Sequence, residues 1–340
     1  MIKMAMLLKI IIVWIVSFLF AANMSYAETI VLSVPGPGSL VYLPVQLAKA
    51  IGADQAEGIE LKLRFFSGGP LAVRDLNENN SDFAVVGLPA IASARADQMP
   101  LLAIGQLSQS AMVTLLIRSD LKGKIHNIAQ LKGRRIGVNT STRTARSTSQ
   151  MLTEYVLRGA GLKLSEVQII PAGQNREAQR SALISNTVDA IMGDEPFATE
   201  LVKQGEAAIL VNLYNPKQSS QLLGGTFVHA ALATREDVFA KYPATVKKVQ
   251  RMFDNTLSWI SHHSVPELVE TLASQPGFEE ANKDLLATVL QNNPGMYPEQ
   301  CIWNANAVAT TEKFFLGMAG NEVESNLKFS QFIRNSPADQ

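Results

Sequence analysis

The 340-residue chain contains a single cysteine, Cys301. That excludes an intramolecular disulfide framework, a Cys-rich zinc site and an iron–sulfur cluster. Its four histidines, His126, His229, His262 and His263, show no metal-ligand spacing, and no H-E-x-x-H, G-x-S-x-G or P-loop motif is present. Neither sign of charge is in excess, with Lys+Arg and Asp+Glu at 30 each. Without a long basic run the chain is a poor nucleic-acid binder, because phosphate neutralisation supplies most of that affinity. No repeat and no low-complexity tract is visible, and 22 Gly and 15 Pro are spread along the chain, which excludes collagen-like, coiled-coil and disordered proteins. With no metal set and no nucleophile–base pair in view, the expectation is binding without a cofactor or metal rather than catalysis.

What the sequence does have begins with an address. Lys3 and Lys9 precede an uncharged apolar run, Ile10 to Ala22, and a small-x-small pattern at Ser25-Tyr26-Ala27. This reads as a secretory signal peptide over residues 1–27, cleaved near Ala27. The run falls short of the ~20 residues a spanning helix needs, although a retained anchor is the alternative. No Cys stands at the cleavage site, and no later segment is apolar enough to span a bilayer. The expected product is exported to the periplasm.

Beyond the leader, short apolar strands alternate with helical spacing, as expected for βαβ units and a parallel sheet. Strands are expected at Thr29–Val34, Leu61–Phe66, Asp82–Gly87 and Leu101–Gly105, then in a second set at Arg135–Val138, Val167–Pro171, Val188–Met192 and Ala208–Val211. From Arg235 onward the sequence is mostly helical. The length suits two lobes, with residues 28–112 and 228–340 forming a discontinuous first lobe and residues 113–227 the second. Two connecting stretches, Gln106–Ile117 and Gly224–Ala233, join them as a hinge.

Ligands of parallel α/β sheets sit beyond the C-terminal strand ends, where small residues admit a ligand to the backbone and helix starts offer free N–H groups. The turns at those ends supply the candidate binding residues. They are Gly38, Ser39 and Tyr42; Ser67, Gly68 and Gly69; Gly87 and Leu88; Asn139, Thr140, Ser141 and Thr142; and Asp194 with Glu195. Tyr214 and Thr226, near the second connection, complete the set. Pro35–Val41 faintly echoes a dinucleotide fingerprint but lacks its third small residue, and reads as an ordinary turn. The hydroxyls of Asn139–Thr144 suit either the cap of a helix running to Gly159 or a ligand. Arg143 and Arg146 are expected to be solvated. Asp194 and Glu195 can receive hydroxyls or amines, or favour a helix N-terminus. Tyr242 and Trp259 fall in a helical apolar pattern expected to be core, and Cys301 is expected to pack.

The order of several motifs resembles one family. It comprises the leader, Ser67-Gly68-Gly69, Asp82–Gly87, Leu131-Lys132-Gly133-Arg134-Arg135-Ile136-Gly137-Val138, Val188-Asp189-Ala190 with Glu195-Pro196, and Tyr242-Pro243 opening a helix to Trp259-Ile260. The chain resembles periplasmic substrate-binding proteins of nitrate/sulfonate/taurine ABC importers, a family that includes binders of thiamine-pyrimidine precursors. The resemblance implies an α/β, two-lobed type II periplasmic binding protein fold, a solute held between the lobes, and a membrane permease and ATPase as partners of a monomeric protein. Sulfonate binders tend to carry a Gly-Ser turn where this chain has Asn139–Arg143, and the Cys-rich motif of the family's pyrimidine-synthesising enzymes is absent. An exported enzyme on the same fold and a ligand-sensing component of a signalling receptor remain alternatives.

Overall fold

The computed structural model describes residues 27–140, 145–173, 175–279 and 281–337. Residues 1–26, on which most of the expected leader falls, and Ser141, Thr142 and Arg143 lie outside them. The chain first lays down β1 (Glu28–Pro35), α1 (Leu43–Ala50), the one-turn α2 (Ala53–Ala56), β2 (Ile59–Phe66), α3 (Gly69–Asn77), β3 (Phe83–Gly87), α4 (Leu88–Ala96) and β4 (Leu101–Gln106). It then crosses over and builds β5 (Val113–Arg118), β6 (Arg135–Val138), α5 (Thr148–Gly159), β7 (Gln168–Pro171), α6 (Arg176–Ile184), β8 (Ala190–Asp194), α7 (Phe197–Lys203), β9 (Ala207–Asn212) and α8 (Pro216–Leu223). The return crossing leads to β10 (Ala230–Arg235) and the helices α9 (Glu236–Lys241), α10 (Pro243–His262), α11 (Val265–Leu272), α12 (Lys283–Asn292), α13 (Ala305–Gly317) and α14 (Glu322–Asn326). No helix of the described residues is long and apolar enough to cross a membrane.

Two five-stranded sheets result, ordered β2-β1-β3-β10-β4 and β7-β6-β8-β5-β9. They make two lobes, the first of them discontinuous. Neither sheet is wholly parallel. Two segments expected as connections, Val113–Ile117 and part of Phe227–Ala233, are strands inside the sheets, and both run antiparallel to their neighbours. The reason is geometric. A chain that leaves one lobe at a C-terminal strand end enters the other at the corresponding end, so its first strand there must run backwards. Their apolar letters are those of buried strands, and every residue of Ala230–Arg235 is buried.

The two crossings are fastened to each other. The Ala230 N–H donates to Ser108 Oγ at 2.7 Å and the Leu107 N–H donates to Ala230 O at 2.9 Å. Asn293, following α12, donates from Nδ2 to Ser110 Oγ at 3.1 Å and to Tyr214 O at 3.0 Å, so one buried amide ties the first crossing to the turn after β9. Over the first lobe, α10 buries Val246, Val249, Met252, Phe253 and Leu257 at helical spacing and packs on α1. Contrary to expectation Tyr242 is not core. It is 57% exposed just before α10, while Trp259 is half-buried and stacks on His263 at 3.9 Å. The apolar period extends through α10 and cannot tell the solvated residue before it from its packed middle.

Candidate functional site

The turns at the strand ends of the two lobes meet. The Ser39 hydroxyl, at the end of β1, donates to Asp194 Oδ2 at 2.9 Å, and the Leu40 N–H donates to Glu195 O at 2.9 Å. Gly68 lies over Thr140, where an added Cβ would sit 3.4 Å from the Thr140 Cα. Gly87 faces Thr148 so closely that a Cβ would fall 1.9 Å from its Oγ1. The first turn can reach its partner because Gly38 takes φ +82, the left-handed region that costs glycine nothing.

Between these turns lies a polar cavity of about 20 Å³, walled by Tyr42, Gly87, Asn139, Thr148, Ser149, Asp194 and His229. That is room for roughly one water molecule, so the lobes are closed on each other. Four of its wall groups are buried and have no hydrogen-bond partner: Asn139 Oδ1, Thr148 Oγ1, Ser149 Oγ and His229 Nδ1. Buried polar groups are nearly always satisfied, and each left unmade costs about 1–3 kcal/mol. Four around one small space make this cavity the candidate site. Larger hollows of about 560 and 520 Å³ lie between α10, α11 and the 294–299 turn, and beside Cys301. Neither gathers more than one such atom.

Burial dominates the electrostatics. It pushes the Tyr42 phenol far above its ordinary range, with the Asp194 charge adding to the effect, so Tyr42 stays a neutral hydroxyl. Burial also raises the Glu195 carboxyl to about 7, against the lowering effect of hydrogen bonds from Thr199 and Thr114. The His229 imidazole is pushed down to about 3 by burial and is neutral at physiological pH. Stability therefore depends on pH in a definite direction. Below the unfolded value of about 6.5, the unfolded chain takes up a proton that the native His229 refuses. The native state thus loses stability as pH falls from there toward 3, by up to about 1.4 kcal/mol per pH unit. In urea titrations between pH 7.5 and 4.5, His229→Gln should lose this part of the acid sensitivity.

The candidate residues divide. Gly38, Ser39, Tyr42, Gly68, Gly69, Gly87, Asn139, Thr140 and Asp194 converge on the cleft. Ser67 is exposed at its edge. Leu88 is core, its N–H donating to His229 O at 3.0 Å. Glu195 lines the small adjoining pocket with Gly38 and Ser39 rather than the polar cavity, its carboxylate accepting from Thr114 Oγ1 at 3.3 Å and the Thr199 N–H at 3.1 Å, as a carboxylate beside a helix start does. The Tyr214 hydroxyl is committed to the Val289 carbonyl. Thr226 is exposed and lines no part of the cavity. Ser141 and Thr142 lie outside the described residues.

The helix expected to start in Asn139–Thr142 starts at Thr148 instead, capped by the Ser147 hydroxyl, which accepts from the Gln150 N–H at 3.1 Å. Hydroxyls are frequent between residues 140 and 149, and local chemistry alone does not choose the cap among them. The displacement brings Thr148 and Ser149, which the sequence reading missed, into the cleft. His229 was missed too, although a lone polar letter opening the apolar run Val228–Ala233 was a signal. Arg146 is not solvated. It donates to both Glu324 oxygens at 2.9 and 2.8 Å and to Met318 O at 2.8 Å, tying the entry of α5 to the C-terminal helices.

Comparison with known proteins agrees with this architecture. The family model described as "NMT1/THI5 like" matches residues 42–265. YtlA of Bacillus subtilis (strain 168), named as a binding protein, is 22% identical over 320 residues, covering 89% of this chain and 86% of its own. A solved protein of Bordetella bronchiseptica RB50 superimposes with a TM-score of 0.82 at 20% identity, over 92% of this chain and 95% of the other. The alkanesulfonate-binding protein SsuA of Xanthomonas axonopodis pv. citri, solved with MOPS, gives a TM-score of 0.69 at 17% identity, over 91% and 98%. At these identities the two structures show the shared two-lobed binding-protein fold.

Proposed function

The chain belongs to the NMT1/THI5-like family, and from that premise we propose that it captures a small polar solute between its lobes, outside the cytoplasm, and passes it unaltered to an ABC permease and its ATPase. The observation that carries this reading is the ring of buried, unpartnered groups contributed by both lobes. Asn139, Thr148 and Ser149 come from the second lobe, and His229 from the start of β10 in the first. Such a ring completes its hydrogen bonds only around a guest, and a guest can enter only if the lobes part. A solute that binds the closed form more tightly than the open one holds the lobes shut, and that shape is what the permease reads.

Native mass spectrometry of the purified protein should reveal a bound solute, released at unchanged mass; a changed mass would mean turnover instead. Added at a hundred times its dissociation constant, the solute should stabilise the fold by about 2.7 kcal/mol. Combined Thr148→Ala and Ser149→Ala substitutions remove two hydrogen bonds worth about 1 kcal/mol each. Affinity, read by calorimetry, should fall roughly ten- to thirtyfold. Unchanged affinity would move the site elsewhere.

A further inference from the structure

We propose that Arg146 and Glu324 form a latch between the lobes, and that Glu154 is the partner to which Arg146 returns when the lobes part. Arg146 is then a positioning residue for capture, and the inference rests on the capture reading above. Arg146 belongs to the second lobe, two residues ahead of Thr148, which lines the cavity. Glu324 belongs to the first lobe, because α13 and α14 both pack on α4. Across this boundary Arg146 Nη2 donates to Glu324 Oε1 at 2.9 Å and to Oε2 at 2.8 Å, and Nη1 donates to Met318 O at 2.8 Å. Glu324 is held in place to receive it. Its Oε2 also accepts from the Gly320 N–H at 2.6 Å, and its own N–H donates to Asn321 Oδ1 at 2.8 Å. The side chains of Arg146 and Glu324 are 23% and 10% exposed, so solvent screens the pair little.

The packing of α5 says which of its ends moves. Tyr155, about two turns into α5, rests on Phe314 of α13 with ring centres 5.1 Å apart, and Phe314 meets Phe227 of the return crossing edge-on, also at 5.1 Å. That end of α5 lies by the hinge. Its start, with Arg146, Thr148 and Ser149, lies at the cleft, so parting the lobes draws Arg146 away from Glu324. A partly buried guanidinium left without a partner is unfavourable, and a second carboxylate stands beside it. Glu154, buried on α5, lies 3.5 Å from Arg146 Nη1 and accepts from Gln150 Nε2 at 2.9 Å. Glu154 travels with Arg146, and Glu324 does not. The two carboxylates therefore compete for one guanidinium, Glu324 favouring the closed form and Glu154 the open one. While Glu324 holds Arg146, Thr148 and Ser149 are kept at the cavity wall.

The test needs no solute. Spin labels on Glu78→Cys and Ser165→Cys, exposed positions on the first and second lobes, report the interlobe distance by double electron–electron resonance; Cys301 is buried and stays unlabelled. Glu324→Gln should lower the closed-to-open ratio roughly tenfold, and Glu154→Gln should raise it about threefold. General loosening of the fold would move both variants the same way, so opposite directions are the signature of a shared guanidinium. If either variant leaves the ratio unmoved, or both move it the same way, the proposal is overturned. Gly87→Val in the same labelled protein separates this from failure of the capture reading. If it opens the lobes while the carboxylate variants match the parent, the lobes part and the latch is wrong. If it too leaves the distance unchanged, the lobes do not part, and capture by closure fails with the latch.

Discussion

Replacing Gly87 by valine should leave both lobes folded and cost at least a hundredfold in solute affinity. Gly87 closes β3 with φ −61 and ψ 132, an extended conformation open to any residue, so the substitution strains no backbone. The conflict arises only across the cleft. A Cβ at position 87 would sit 1.9 Å from Thr148 Oγ1 and 2.8 Å from Thr148 Cβ, and valine adds two methyl groups to that volume. Thr148 cannot step aside easily, because it begins α5 and α5 is held by the Arg146–Glu324 pair. The closed form loses its contacts and the open form keeps all of its own. A loss of about 2.7 kcal/mol in closure is a hundredfold in affinity, and a clash of this depth exceeds it. Circular dichroism should match the parent protein. Solution scattering with solute present should show the larger radius of the open form, where the parent contracts. Parent-like contraction of Gly87→Val would mean that the lobes do not meet at this point.

Much of this clamp was legible in the sequence, and the illegible parts share a cause. Period-two and buried-strand patterns placed eight strands close to where they lie. Gly/Pro-rich turns at strand ends were readable as meeting across the cleft because their placement follows from sheet geometry alone. Direction was not readable. Val113–Arg118 and Ala230–Arg235 have the letters of any buried strand, and only the path between lobes makes them antiparallel. Side-chain choice inside the cleft was equally hidden. Glu195 and Asp194 are neighbours of like chemistry, yet one turns to the start of α7 and the other to the cavity. Thr148, Ser149 and His229 depend on which hydroxyl caps α5 and on where the return crossing begins, both decided by contacts between segments far apart in the chain.

The largest stability effect is expected outside the cavity, at Gly277→Ala. Gly38 and Gly277 lie back to back, with φ +82 and +81. A Cβ on Gly277 would meet Pro37 C at 2.6 Å and Gly38 N at 2.7 Å, which are backbone atoms with no freedom to rotate away. Gln46 locks the pair from the side: its Oε1 accepts from the Gly38 N–H at 3.2 Å and its Nε2 donates to Pro276 O at 2.6 Å. The left-handed backbone costs an alanine about 1–2 kcal/mol, and forcing the two turns apart adds roughly 1–3 kcal/mol, for about 2–4 kcal/mol in all. Gly52→Ala is the internal control. It has φ +71 and nothing within 4 Å of an added Cβ, so it carries only the backbone part, about 1–2 kcal/mol. The difference between their urea midpoints measures the contact itself. The same displacement reaches the cleft, because Gly38 precedes Ser39, whose hydroxyl grips Asp194. Gly277→Ala should therefore weaken solute binding although no atom of Gly277 lines the cavity, whereas Gly52→Ala should leave affinity where it was. Equal urea midpoints for the two variants would mean that the two glycine turns are not in contact in solution.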